Sequence, residues 1–195
     1  MKEIVFATNN KHKLEEVNAM LGDHFLLKSL DDIGCTVDIP ETGDTFEINA
    51  SQKSHYIKEH YQLDCFADDS GLMVEALNNE PGVLSARYSG SRDMKKNIEL
   101  LLNNLKGKNN RKAAFITVIS LLAGDQEHFF EGRIEGSIST EIMGDNGFGY
   151  DPIFIPAGYS KSFAQMDAAE KNNISHRAIA VQKLVKFLQA DQAQL

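Results

Sequence analysis

The sequence predicts an α/β chain of one domain spanning residues 1–195, on three observations. Apolar runs of strand length, such as Ile4 to Ala7 and Arg111 to Leu122, alternate with stretches whose apolar residues recur at helical spacing. The chain has 195 residues, enough to bury a core and short enough to be a single domain. Its 42% hydrophobic and 25% charged content is that of an ordinary globular protein.

In order, Ile4 to Ala7 forms a strand and Thr8-Asn9-Asn10-Lys11-His12-Lys13 a polar loop. Leu14, Val17 and Leu21 then mark a helix that Gly22 stops. Backbone N–H groups at such a helix start favour phosphate, and Lys11 and Lys13 add positive charge, although the same loop can simply cap the helix. It is not a Walker A loop, because no G-x-x-x-x-G-K-[ST] occurs in the chain. Phe25 to Lys28 and Thr36 to Ile39 are strand candidates, and Pro40-Glu41-Thr42-Gly43 breaks the chain. Asp44 with Glu47 forms an acidic capping-box pattern for a second helix, whose apolar face is Phe46, Ala50, Ile57 and Tyr61. In isolation Glu41 reads as a solvated charge and Lys53 as a surface lysine.

Leu63 to Ala67 reads as the end of a buried strand and Leu72-Met73-Val74 as the start of another apolar run. Asp68-Asp69-Ser70-Gly71 between them reads as a tight turn that aims two adjacent carboxylates at one place. Crowded carboxylates resist ionising together unless a cation neutralises them, and a hard ion such as Mg²⁺, sharing phosphate oxygens, suits such a pair. Turn chemistry alone also explains the four residues.

Ile98, Leu101, Leu102 and Leu105 give a third helix ending near Gly107, and Arg111 to Leu122 a long β-branched strand. Gly124-Asp125 turns it into a hairpin with Glu127 to Glu131, and Arg133 to Ile142 alternates as a further strand. Gly144 to Phe154 holds three glycines in the six residues Gly144 to Gly149, with Phe148 and Tyr150. Such a loop lets backbone approach a flat ligand beside an aromatic ring, or tucks under a core strand. Ser175 predicts an N-cap that places His176 and Arg177 in the first turn of a last helix carrying Val181, Leu184, Val185 and Leu188. Cations there oppose the helix dipole, which an anionic ligand would relieve. The tail after Leu188 is expected to fray.

The formal charge of −8 disfavours a nucleic-acid groove but not a small anionic substrate met by local positive charge. Cys35 and Cys65 lie in apolar surroundings without metal-ligand spacing, as buried thiols of a reducing compartment do. The N-terminus is too short and charged for a signal peptide, and Ala113 to Ala123 is too short to span a bilayer. A cytoplasmic protein with no membrane partner is expected.

Five stretches, in this order, resemble the inosine triphosphate pyrophosphatase family across nearly the whole chain: Thr8 to Lys13 (T-x-N-x-x-K), Phe66 to Leu72 (F-A-D-D-S-G-L), Ser85 to Gly90 (S-A-R-Y-S-G), Gly147 to Phe154 (G-F-G-Y-D-P-I-F) and Glu170 to Arg177 (E-K-x-x-I-S-H-R). The resemblance implies a mixed central sheet flanked by helices, with two lobes and an active-site cleft. It implies a homodimer that uses Mg²⁺ to cleave non-standard purine nucleoside triphosphates (dITP, ITP, XTP) to monophosphate and pyrophosphate. Asp69 then corresponds to the catalytic base and a metal ligand, Glu41 to a second metal carboxylate, and Asp68 to a third nearby. Thr8, Asn9, Asn10, Lys11, His12, Lys13 and Lys53 match phosphate-side positions. Ser70, Phe148, Gly149, Tyr150, Asp151, Lys171, His176 and Arg177 match the nucleotide and base pocket. His176, Arg177 or Lys171 would donate to a 6-oxo group and so disfavour adenine. One position departs: the family's T-F-x-E-N-A is Thr45-Phe46-Glu47-Ile48-Asn49-Ala50 here, and Glu47 lies about 100° around the helix from position 48. That departure supports a binding sensor without turnover as an alternative; a pyrophosphatase for other modified nucleotides is a second.

Overall fold

Strand-length apolar runs build a six-stranded mixed sheet in the order β2-β1-β3-β4-β5-β6. The computed structural model describes residues 2–21 and 25–192. Its strands are β1 (Lys2–Phe6), β2 (Phe25–Lys28), β3 (Cys65–Val74), β4 (Lys112–Ala123), β5 (Gln126–Ile138) and β6 (Phe154–Pro156). Its helices are α1 (Lys11–Leu21), α2 (Phe46–Tyr61), α3 (Met94–Asn104), α4 (Ala168–Ile174) and α5 (His176–Gln192). β1 pairs in parallel with both β2 and β3, whereas β5 and β6 are antiparallel.

The chain divides into two compact units whose boundaries fall inside β3, β4 and β5: Met1–Asp69 with Thr117–Gly132 and Arg177–Leu195, and Ser70–Ile116 with Arg133–His176. In the first unit, Phe6 of β1 stacks on Phe66 of β3 at 4.6 Å between ring centroids. The helical stripes of α1 (Val17, Leu21) and α5 (Val181, Leu184, Leu188) bury against this pair in one cluster. A second cluster joins Ile57 of α2 to Val5, Ala7, Cys65 and Ala67. The second unit packs Ile98, Leu101 and Leu105 of α3 on Leu72, Val74, Phe115, Phe154 and Phe163. Each buried Val, Leu, Ile or Phe side chain among these stabilises the fold by about 1.5–3 kcal/mol.

Several expectations are corrected. Asp68-Asp69-Ser70-Gly71 is not a turn: all four residues continue β3, an interior strand between β1 and β4. Placement in the sheet, where β3 pairs with β1 at Cys65 and Phe66 and neighbours β4, overrides local turn chemistry. Thr36 to Ile39 forms no strand; of residues 36–39 only Ile39 is buried. The cap of α2 is Thr45, whose hydroxyl accepts the Ile48 amide, rather than the Asp44–Glu47 pair. The two strands expected at 127–131 and 133–142 are one, β5, which ends at Ile138. Ser175, in extended conformation, directly precedes α5 at the position expected of its cap, while Glu170 to Ile174 belongs to α4, which Asp167 caps. The last helix continues to Gln192 rather than fraying after Leu188. The stop expected at Gly22 lies outside the described residues. Among the described residues no helix is long and apolar enough to cross a membrane.

Candidate active site

Side chains alternate along a strand, so Asp68 and Asp69 meet different partners. Both are buried, at 1% and 6% exposure. Asp68 Oδ1 accepts from Lys13 Nζ of α1 at 2.9 Å, and its Oδ2 lies 3.7 Å from Arg177 Nε of α5. Arg177 also pairs with Glu16 of α1, and Lys53 Nζ of α2 donates to the Asp68 carbonyl at 2.6 Å. Burial alone would raise the Asp68 carboxyl, but Lys13, Arg177 and Lys53 outweigh it and hold the group well below the usual carboxylate range. Asp68 is thus the anion that gathers three cations. Its Oδ1 and Oδ2 face Lys13 and Arg177 respectively. The cations His176 and Arg177 were expected to seek an anionic ligand at the start of α5; for Arg177 two protein carboxylates meet that need.

Asp69 has the opposite character. Its Oδ2 accepts from Asn49 Nδ2 at 2.9 Å. Burial, reinforced by the Glu41 charge, lifts its carboxyl above the ordinary value against Lys53, Lys13 and the Asn49 bond. Lys53 bonds Glu41 as well, and Glu41, Asp68 and Asp69 keep its ammonium charged despite burial. Lys53 is therefore no surface lysine, and Glu41 no free solvated charge.

Glu41 and Asp69 suit a hard cation. They are oxygen donors whose mutual repulsion already disfavours ionisation of Asp69, the strain that a divalent ion removes. Among the described residues no set of three His, Cys, Asp or Glu side chains forms a complete cage, so substrate phosphate oxygens would have to finish the coordination.

In the loop before α1, Asn10 Oδ1 accepts the Lys13 amide at 3.2 Å and so caps the helix, and the Asn10 amide donates to Thr8 Oγ1. Thr8 is buried, whereas Asn9, Lys11 and His12 are exposed. Lys13, in the first turn of α1, reaches Asp68.

The second unit holds the other expected residues. Asp151 Oδ2 accepts from the Phe148 amide at 2.8 Å and from Lys171 Nζ of α4 at 2.7 Å. Lys171 Nζ lies 5.0 Å above the Phe148 ring and 5.7 Å from that of Phe163, within cation–π range. Gly147 sits at φ +74°, and a Cβ there would stand 2.2 Å from Asp151 Oδ2, so both conformation and space demand glycine. The loop is partly tucked into the core. Tyr150 is core, its hydroxyl donating to the Ser85 carbonyl at 2.9 Å, while Phe148 and Gly149 are half-buried. His176 stacks on Phe115 at 4.6 Å and 9° between planes. Ser70 is half-buried in β3. His176 and Arg177, adjacent in sequence, serve different companies: an aromatic cluster and the Asp68 cation group.

Sequence reasoning missed Glu16 and Asn49. Asn49 carried a signal, since it lies between Phe46 and Ala50 on the face that α2 buries. Glu16 follows Glu15 on a polar stretch of α1, and nothing local marks it.

A model of the Ham1 family matches residues 4–187. The dITP/XTP pyrophosphatase of Porphyromonas gingivalis is 50% identical over 190 residues, covering 96% of this chain and 98% of that protein. The dITP/XTP pyrophosphatase of Bacillus subtilis is 44% identical over 195 residues, with 97% and 98% covered. The Ham1 protein of Staphylococcus aureus superposes with a TM-score of 0.89 at 41% identity, over 97% of this chain and 100% of that one. The nucleoside-triphosphatase / dITP/XTP pyrophosphatase of Mycobacterium abscessus gives 0.77 at 43% identity, over 93% and 98%. With the family model spanning nearly the whole chain and the relatives covered almost end to end, this chain belongs to the Ham1 family.

Proposed function

We propose that this protein is a pyrophosphatase that hydrolyses non-standard purine nucleoside triphosphates, dITP, ITP and XTP, to the monophosphate and pyrophosphate. The observation that carries the reading is the contrast along β3: Asp69 has a raised proton affinity, and Asp68 beside it gathers Lys13, Lys53 and Arg177. A base and a cluster of cations are what attack at a polyphosphate requires. The names of the relatives, dITP/XTP pyrophosphatase, support the substrate class.

Asp69 takes the proton of the attacking water as it adds to the α phosphorus, a role worth about 10²–10⁴ in rate. Asn49 orients the carboxylate for this by donating to its Oδ2. Lys13 and Lys53, held by carboxylates until substrate arrives, shift toward the phosphate oxygens and stabilise the departing pyrophosphate. Mg²⁺ held by Glu41 and Asp69 would supply charge neutralisation and a more acidic water. On the base side, Lys171, fixed by Asp151, and His176, fixed by Phe115, are the donors that favour a 6-oxo purine.

The homodimer that the resemblance implies belongs to this proposal and is checked by light scattering in solution. A cytoplasmic setting belongs to it too, supported by two buried free thiols. No observation favours the sensor: Ile48 is exposed and lies against Gly43, while Asn49 rather than position 48 contacts Asp69.

The test is incubation with Mg²⁺ and dITP, XTP, ATP, GTP or dTTP, identifying both products. Monophosphate and pyrophosphate from dITP and XTP, with the standard nucleotides spared, is expected. Orthophosphate release would instead mean attack at the γ phosphorus and overturn the assignment.

A further inference from the structure

We infer that α2 is a positioning jig for the cation site: Asn49 and Gln52 lock the Glu41-Thr42-Gly43 loop in place so that Glu41 is preset relative to Asp69. This inference rests on the proposed cation role of those two carboxylates.

Residues 35–43 form no helix or strand, so nothing in the backbone pattern itself fixes Glu41. Three side chains of α2 do. Asn49, fully buried, accepts the Gly43 amide on Oδ1 at 2.8 Å and donates from Nδ2 to Asp69 Oδ2 at 2.9 Å. Gln52 accepts the Thr42 amide on Oε1 at 3.0 Å and donates from Nε2 to Thr42 Oγ1 at 2.9 Å. Lys53 reaches Glu41 itself and the Asp68 carbonyl.

Positions 49, 52 and 53 stand at i, i+3 and i+4, which a helix presents on one face. Three consecutive loop residues are therefore gripped by three side chains from one helix face. Two of those side chains, Asn49 and Lys53, hold β3 at the same time. The fit is close: a Cβ on Gly43 would lie 2.4 Å from Ile48 Cγ2 and 3.0 Å from Asn49 Oδ1. The distance between the two carboxylates is thus set by α2 rather than by the loop. A loop ordered beforehand need not be ordered by the ion, so the clamp raises affinity without touching the metal. Partners of this outer kind typically contribute about 10–100-fold in metal affinity.

The test titrates Mn²⁺ alone into nucleotide-free protein and reads free Mn²⁺ by electron paramagnetic resonance. Gln52 is the residue to change, since it is neither a proposed ligand nor in contact with Asp69. Gln52→Leu keeps the bulk and removes both bonds to Thr42; its Mn²⁺ affinity should fall about tenfold, with the metal-free unfolding midpoint unchanged. Gln52→Glu still accepts the Thr42 amide and can take the Thr42 hydroxyl as donor, so it should bind within a few-fold of the wild type. Wild-type affinity in Gln52→Leu overturns the inference. Should Gln52→Leu fail to fold, Thr42→Val, which removes only the Oγ1 bond, carries the same comparison, and unchanged affinity there overturns it equally. No Mn²⁺ binding by the wild type overturns the cation reading itself, a different failure.

Discussion

Two adjacent aspartates of one strand, both buried, have their proton affinities shifted in opposite directions because their neighbours differ. Three cations hold Asp68 ionised, whereas burial and Glu41 raise the proton affinity of Asp69. Asp69→Asn keeps the shape of the side chain and its contact with Asn49 but removes the base. Turnover of dITP should fall about 10²–10⁴-fold while equilibrium binding of dITP stays near normal; a variant with near wild-type turnover would remove Asp69 from its role. Cys65 gives a prediction of another kind. Its thiol is buried, donates to the Ser54 carbonyl at 3.2 Å, and is pushed by burial from 9.0 up to about 12. Between those values the unfolded thiol ionises and the folded one does not, so the unfolded state holds fewer protons and stability falls as pH rises. The loss is absent below the unfolded pKa and grows by about 1.4 kcal/mol per pH unit. Urea unfolding at about pH 8 and about pH 10.5 should show the wild type losing about 2 kcal/mol more than Cys65→Ala over that interval. Equal losses in the two proteins would show that Cys65 does not titrate in this way.

At the scale of elements, the sequence was legible where periodicity decides the outcome and misleading where long-range pairing does. The stripes of α1, α3 and α5 and the apolar runs of β1 and β4 are local patterns, and each became the element expected. Asp68 to Gly71 has the composition of a turn, yet it continues β3, a strand in the interior of the sheet. Lys13 and Asp68 stand 55 residues apart, so no local pattern announces their pair. Lys53 reads as a surface lysine, although its position on the face of Phe46, Ala50 and Ile57 was the sign that it is buried. The loop between β5 and β6 shows what composition can tell. Gly147 has φ +74° and no room for a methyl beside Asp151. Gly147→Ala should destabilise the fold by about 1–2 kcal/mol and displace the carboxylate that anchors Lys171. KM for dITP should then rise about tenfold or more, with a smaller effect on turnover of bound substrate. An unchanged KM would mean that Asp151 and Lys171 do not contribute to substrate binding.

For the whole molecule, we propose that the two chemical tasks fall to different sets of residues. Lys13, Lys53, Asp69 and Arg177 belong to the first unit, and Phe148, Asp151, Lys171 and His176 to the second. The family resemblance grouped Arg177 with the base-side residues, but its guanidinium faces Glu16 and Asp68, in the company of Lys13. We propose that a residue so placed acts on phosphate charge, which every nucleoside triphosphate shares, rather than on the purine. Lys171 sits instead over the Phe148 ring and on Asp151, among groups that a base would meet. Charge-conserving variants separate the two roles without leaving a buried carboxylate unmatched, a defect that would itself cost about 3–5 kcal/mol. Arg177→Lys should lower kcat/KM for dITP, XTP and dATP by a common factor of about ten, leaving their ratios unchanged. Lys171→Arg should alter the ratio of dITP to dATP by about tenfold or more, with less effect on the faster substrate's turnover once bound. If Arg177→Lys narrows the gap between dITP and dATP while Lys171→Arg leaves it intact, base selection lies with Arg177 and this division of labour is wrong.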